Sequence, residues 1–109
     1  MAYAVFDTGE VEGRRKPVAQ ALGAVAIKAN QFDSEPGQAG HAHDELRSGQ
    51  EEFFVALAGA GHMVIDGETV ELQPGRYVLV EPASQRQVIA GPEGLSYLVV
   101  GARVEAAGA

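Results

Sequence analysis

The chain has 109 residues, of which 46% are hydrophobic, and it carries a formal net charge of −7. That length fits one domain with a packed core. The acidic balance argues against nucleic acid and anionic membranes as partners, because residues 14–16 form the one basic run. No apolar run approaches the roughly 20 residues that cross a bilayer, and there is no cysteine for disulfides or thiol chemistry. We therefore expect a cytoplasmic protein without a nucleic-acid or membrane partner.

The chain is predicted to be one β domain with an N-terminal extension. The extension, residues 1–21, is expected to pack on the domain or on a partner chain. Residues 17–23 predict one helical turn, with a proline early and a glycine as its stop. Beyond it, short apolar segments alternate with turn signals, which is typical of an antiparallel sandwich or barrel. We expect this domain to span residues 22–104 and residues 105–109 to be frayed.

The strands of this domain can be placed between the turn signals. Asp66 and Gly67 lie between two apolar segments and predict a hairpin with a tight primed turn. The glycine-rich residues 59–61 are expected to end the strand before the hairpin, and residues 91–94 are expected to form a turn near the end of the domain. The predicted strands are residues 25–32, 53–57, 63–65, 68–72, 77–80, 87–89 and 95–100, with a short extended piece at 41–44.

His41, His43 and Glu52 are the strongest candidates for a functional site. Two imidazoles separated by one residue point the same way if that stretch is extended. Together with a carboxylate they form a set that holds a divalent first-row metal and leaves positions open for substrate. The alternative is a pair of solvated histidines in a polar loop. Phe54 shares strand parity with Glu52, so it is expected either to line the same cavity or to pack in the core.

These residues, in this order, resemble the cupin superfamily. The His41-Ala42-His43 sequence and a Glu52 with six residues between it and Gly59 match the first cupin motif. The Asp–Gly hairpin and the Pro–Gly turn at residues 74–75 lie where cupins have them. The resemblance implies an all-β fold, the double-stranded β-helix or jelly-roll cupin barrel, of about eight to ten strands. It also implies a ligand pocket inside the barrel and a homodimer that pairs through its sheets.

The chain departs from the cupin pattern in two places. The spacer between His43 and Glu52 has eight residues, which enlarges the loop at residues 44–50. Arg86 stands where the second cupin motif has its metal-binding histidine, and a guanidinium cannot ligate a metal. Three roles are open for it. In the first, Arg86 pairs with Glu52 in place of a metal; in the second, it turns outward and leaves a three-ligand site. In the third, it binds the carboxylate or phosphate of a ligand.

The leading interpretation is a small-molecule-binding cupin, with an anionic ligand as one option and a pocket formed by His41, His43, Glu52, Arg86 and Phe54. One alternative is a metal-dependent oxygenase or isomerase that uses His41, His43 and Glu52 to hold iron, nickel, zinc or manganese. A metal-free isomerase or epimerase, with His43 as general base, is a further alternative. An effector-binding sensor module is the last. The sequence does not decide whether the protein is an enzyme, because fold does not determine chemistry.

Overall fold

The computed structural model describes residues 2–105 of the chain. Within these residues the regular secondary structure is mostly antiparallel β-sheet, as the sequence predicts. Its elements are a 3-10 turn at Thr8–Glu10, β1 at Arg15–Lys16, α1 at Val18–Leu22, β2 at Lys28–Ser34, β3 at Gln50–Ile65, β4 at Glu68–Leu72, β5 at Tyr77–Val80 and β6 at Arg86–Arg103. The fold is an all-β barrel, which agrees with the fold class that the resemblance to cupins implies.

Two long strands, β3 and β6, form the centre of the barrel. They pair antiparallel from Gln50↔Arg103 to Ile65↔Arg86, and the register shifts at two points near the middle of β3. The strand order is β1-β2-β6-β3-β4, and β5 pairs with β3 beside this path. A β-bulge bends a strand and increases its twist. The two halves of β3 on either side of these shifts therefore have different neighbours, β5 along the first half and β4 along the second.

The predicted breaks at residues 59–61 and 91–94 were wrong, because these positions lie inside β3 and β6. A Cβ added to Gly59 would lie 2.3 Å from the backbone oxygen of Gly94, and one added to Gly61 would lie 2.4 Å from that of Ile89. The glycines therefore allow two backbones to approach closely. For this reason the described residues contain six continuous strands rather than about eight to ten.

The local turn predictions were correct. Asp66 and Gly67 have φ angles of 49° and 84°, which are the positive values that a type I′ turn requires. They connect β3 to β4 with Ile65 paired to Glu68. The predicted helical turn is α1, which ends at Gly23 in the left-handed conformation. The strand predicted at residues 25–32 begins three residues later, at Lys28.

The core lies between the inner faces of the long strands. Its buried side chains are Phe54, Ala56, Met63, Leu72, Val80, Val88, Ala90, Leu95, Tyr97 and Val99. In β4 the alternation is clear, since Leu72 is buried while Thr69 and Glu71 are exposed.

The N-terminal segment lies against this barrel through β1, in which Arg15 pairs with Phe32 of β2 and Lys16 with Gln31. The boundary between the extension and the domain at residues 21 and 22 stays a prediction. Of the predicted frayed terminus, residues 106–109 lie outside the described residues.

Candidate functional site

A cavity of about 340 Å³ lies between β2, β3, β6 and the loop that precedes β3. Its apolar wall is formed by side chains from three strands, namely Phe32, Phe54, Val88, Tyr97 and Val99. The five residues predicted to form a ligand pocket all line it: His41, His43, Glu52, Phe54 and Arg86. Phe54 is also part of the core, with 2% of its surface exposed.

Backbone pairing brings these sequence-distant residues together. The N–H of His43 donates to the carbonyl of Arg86 over 3.0 Å, and the N–H of Arg86 donates to the carbonyl of His43 over 2.8 Å. This bridge attaches the loop to the start of β6. Glu52 enters from β3, where it pairs with Gly101 on one side and with Val80 on the other.

His43 lies between two carboxylates. Its Nε2 is 3.1 Å from Oε2 of Glu45 and 3.7 Å from Oε1 of Glu52. Its Nδ1 is 3.1 Å from the carbonyl oxygen of His41. Because a carbonyl oxygen only accepts hydrogen bonds, Nδ1 is the donor in this contact, and Nε2 is the ring nitrogen that faces the two carboxylates.

Glu52 is a partly buried acid with an incompletely satisfied carboxylate. Burial raises the pKa of Glu52 above its usual value, and the charge of Glu45 raises it further, while Arg86 and His43 oppose the shift. Its side chain is 13% exposed. Its Oε1 is buried and has no hydrogen-bond partner among the described residues.

Arg86 is turned inward and is fully buried, which rules out the outward orientation considered for it. Its Nε lies 3.6 Å from Oε1 of Glu52 without a hydrogen bond. Its Nη1 and Nη2 donate to the backbone carbonyls of Ser84 and Glu81 over 2.8 and 3.4 Å. Arg86 is therefore an ion-pair partner of Glu52, held in place by the turn before β6, because a buried charge is stable only when it is paired and hydrogen-bonded.

His41 and Glu45 are placed differently from the expectation for the metal ligands. The ligand atoms of His43, Glu45 and Glu52 all lie within 4.8 Å of one another, whereas His41 lines the cavity but is not part of this group. Sequence reasoning missed Glu45. The signal was available, since Glu45 follows His43 by two residues and therefore shares its side of an extended chain.

Arg14 also reaches the cavity, although it belongs to the N-terminal segment. Its guanidinium carbon lies 4.7 Å from the centre of the Phe32 ring. Its Nε donates to Oγ of Ser34 and its Nη2 to the hydroxyl of Tyr97, each over 3.3 Å. Burial raises the pKa of Tyr97, and the charge of Arg14 opposes this shift. No pattern in the sequence indicates that Arg14 lies near the other site residues.

The chain belongs to the cupin family. A family model described as "Cupin domain" matches residues 31–101, which include His41, His43, Glu52 and Arg86. A comparison with curated protein sequences found no significant match. Among residues 2–105 no helix has the length and apolar character of a membrane span.

Solved structures share this fold at low sequence identity. A cupin protein from Bacteroides fragilis is 22% identical with a TM-score of 0.79, and the match covers 97% of this chain and 88% of that one. A sugar phosphate isomerase of the cupin superfamily from Silicibacter pomeroyi is 23% identical with a TM-score of 0.71, over 83% of this chain and 59% of that one. A predicted oxalate decarboxylase from Thermotoga maritima is 18% identical with a TM-score of 0.70, over 83% and 79%. At such identities the similarity establishes the fold alone.

Proposed function

We propose that this protein binds a small anionic molecule in the barrel cavity. The observation that carries the proposal is that the charged residues lining the cavity are mostly cations, whereas the chain as a whole is acidic. The chain has eight lysines and arginines against fifteen acidic residues. The cavity is lined by three of those cations, Arg14, Lys28 and Arg86, and by two of the carboxylates, Glu45 and Glu52. A concave site of opposite sign to the rest of the surface attracts and concentrates a ligand of the matching charge.

The shape of the cavity supports the same proposal. Its volume of about 340 Å³ suits a small molecule. The aromatic and aliphatic wall can bury the body of such a ligand, while the polar groups orient it. Two of the structural neighbours are described by names that refer to anionic compounds, a sugar phosphate and oxalate. These names are consistent with an anionic ligand here.

The test compares charged molecules with neutral analogues of the same shape. Glucose 6-phosphate is paired with glucose, and malonate with malonamide, at constant ionic strength. We expect the charged member of each pair to shift the amide resonances of cavity residues such as Gly40 and Val88 with saturation, and the neutral member to bind at least about tenfold more weakly, because a charge-assisted hydrogen bond is lost. Equal binding within both pairs, or no saturable binding, would contradict the proposal.

Metal binding is a second candidate function, and the clustered ligand atoms of His43, Glu45 and Glu52 favour it. The residues fit a divalent transition metal, since Nε2 of His43 faces both carboxylates and Oε1 of Glu52 has no hydrogen-bond partner among residues 2–105. Bound there, an iron, nickel, zinc or manganese ion would supply Lewis-acid chemistry. Arg86 lies 3.6 Å from the same Glu52 oxygen and opposes the extra positive charge.

Elemental analysis of untagged protein tests this candidate. We expect about half an equivalent or more of one transition metal, and a loss of most of it in Glu45→Gln. Glu51→Gln is the matched control, because Glu51 is an exposed carboxylate on the same strand as Glu52 and is not part of the cluster. Less than about a tenth of an equivalent in the unmodified protein would defeat the metal candidate.

We also propose that the protein is a homodimer. The outward face of β3 and β5 supports this, because Leu79 and Tyr77 are 61% and 68% exposed beside Phe53 on a neighbouring strand. Exposed apolar patches of this kind mark interaction surfaces. A cytoplasmic location stays a prediction from the sequence.

A further inference from the structure

We propose that Arg14 is the residue that recognises the anionic group of the cavity's ligand, and that this group is a carboxylate or a phosphate. The inference rests on the proposed function and extends it to a residue outside the matched cupin segment, residues 31–101. Arg14 belongs to the N-terminal segment, yet its side chain lines the cavity.

The backbone holds Arg14 in a defined place. The carbonyl of Arg14 accepts a hydrogen bond from the N–H of Asp33 over 2.9 Å, and the next residue begins β1, which pairs with β2. The guanidinium then lies over the ring of Phe32 at 4.7 Å, and Phe32 in turn stacks on Tyr97 with 5.3 Å between ring centres. An arginine held by stacking loses little conformational freedom on binding a ligand.

Arg14 also has hydrogen-bond donors to spare. Its Nε and Nη2 donate to Ser34 and Tyr97, while Nη1 has no acceptor within the described part of the chain. In the same residues no carboxylate lies within 4.0 Å of its guanidinium, whereas Arg86 has Glu52. The planar fork of a guanidinium matches a carboxylate or phosphate.

The charges around the cavity separate into two groups along β2. Lys28 pairs with Gly101, which pairs with Glu52, so this cation lies near the end that holds Arg86 and the two carboxylates. There, two positive and two negative charges balance. The backbone of Phe32, whose ring contacts the guanidinium of Arg14, is four residues away along β2, or roughly 13 Å of extended strand. Of the two arginines that line the cavity, Arg86 has Glu52 as its partner, whereas Arg14 has no carboxylate within 4.0 Å among residues 2–105.

The distance along β2 between Arg14 and the end of the cavity that holds Glu52 and Arg86 indicates the shape of the ligand. An anionic group bound by Arg14 would place the rest of the molecule over Phe54 and Val99, which lie on the strands between the two ends. The far end of the ligand would then face His43 and Glu52. The ligand expected from this arrangement is an elongated small molecule with an oxyanion at one end.

The test is a titration of 15N-labelled protein with inorganic phosphate and, in a separate arm, with malonate, at constant ionic strength. In the unmodified protein we expect saturable shifts at the side-chain Nε–H of Arg14 and at the amide of Gly40. Arg14→Gln is expected to weaken binding of the recognised anion by about tenfold or more. Arg15→Gln, which removes the same charge from an exposed neighbour that does not line the cavity, is expected to change it by less than about twofold. The arm that saturates identifies the group as a phosphate or a carboxylate.

A second variant keeps the test valid if Arg14→Gln folds poorly. A Cβ on Gly40 would lie 3.1 Å from Nη2 of Arg14, and Gly40 does not have a positive φ. Gly40→Ala should therefore displace the guanidinium without removing its charge, and it is expected to weaken anion binding in the same arm by about threefold or more. Unchanged binding in both Arg14→Gln and Gly40→Ala would overturn the role of Arg14 and leave the proposed function standing. An absence of saturable binding in the unmodified protein, in both arms, would refute the proposed function as well.

Discussion

Replacing Arg86 with methionine is expected to destabilise the fold in a pH-dependent way. The change removes a fully buried guanidinium and leaves Oε1 of Glu52 without its counter-charge. At 3.6 Å, two unit charges attract by roughly 4 to 5 kcal/mol at an effective dielectric constant of about 20. The carbonyls of Ser84 and Glu81 also lose their donors.

The net effect is smaller than this attraction, because transferring the guanidinium back to water recovers its desolvation cost and methionine is apolar. We expect a loss of about 3 kcal/mol in the free energy of unfolding at pH 8, which is typical of breaking a buried pair from one side. Arg86 lowers the pKa of Glu52, so its removal raises that pKa further. The carboxyl group then takes up a proton more readily in the folded variant. The variant should therefore regain stability relative to the unmodified protein as the pH falls from 8 towards 5.

Urea unfolding at pH 8 and pH 5 measures both quantities. Arg47→Met is the matched control, since Arg47 is exposed and forms no ion pair within residues 2–105, and a change below about 0.5 kcal/mol is expected for it. Adding Glu52→Gln to Arg86→Met should reduce the loss at pH 8, because the unpaired charge is then absent. A loss below about 1 kcal/mol at pH 8, or one that is the same at both pH values, would refute this account of the pair.

Three more predictions follow from other parts of the molecule. Arg86→His should raise zinc affinity by about tenfold or more, because it adds an imidazole next to Glu52 and removes a cation. Competition with a chelator measures this affinity, and an unchanged value would contradict the cavity assignment. Gly59→Ala should lower the free energy of unfolding in urea by about 3 kcal/mol or more, since its Cβ would lie 2.3 Å from a backbone oxygen. Gly75→Ala, also at positive φ but in open space, should lower it by about 1 kcal/mol, and similar losses in the two variants would mean that the close strand approach is unimportant. Leu79→Glu should shift the protein to a monomer in analytical ultracentrifugation, and an unchanged sedimentation coefficient, or a monomeric unmodified protein, would contradict the proposed dimer.

The sequence was most informative where structure depends on neighbouring residues. The Asp66 and Gly67 hairpin and the α1 turn were placed correctly, because turn chemistry is decided by a few consecutive side chains and their allowed φ angles. The resemblance to the cupin motifs implied one cavity for His43, Glu52 and Arg86, and all three line the cavity between β2, β3 and β6.

The prediction failed at residues 59–61 and 91–94 for a physical reason. Glycine is favoured in a turn and also where two backbones approach closely, and one sequence without its pairing partner does not distinguish the two cases. In this protein the second case applies, since Gly59 faces the backbone of Gly94 across the two long strands. The glycines at residues 59–61 and 91–94 therefore predicted strand ends at positions where β3 and β6 continue.

By itself, the sequence determined the all-β class and the hairpin, because these follow from alternation and turn residues within one segment, while the jelly-roll barrel and the grouping of a histidine motif with Glu52 were implied by the resemblance to cupins. Only the tertiary structure decided which charges face one another. It placed Glu45 rather than His41 beside His43 and Glu52, turned Arg86 inward, and brought Arg14 from the N-terminal segment to the cavity wall. Such contacts depend on strand register and on the path of the loops, and a charged side chain carries no local signal of the partner that it will meet.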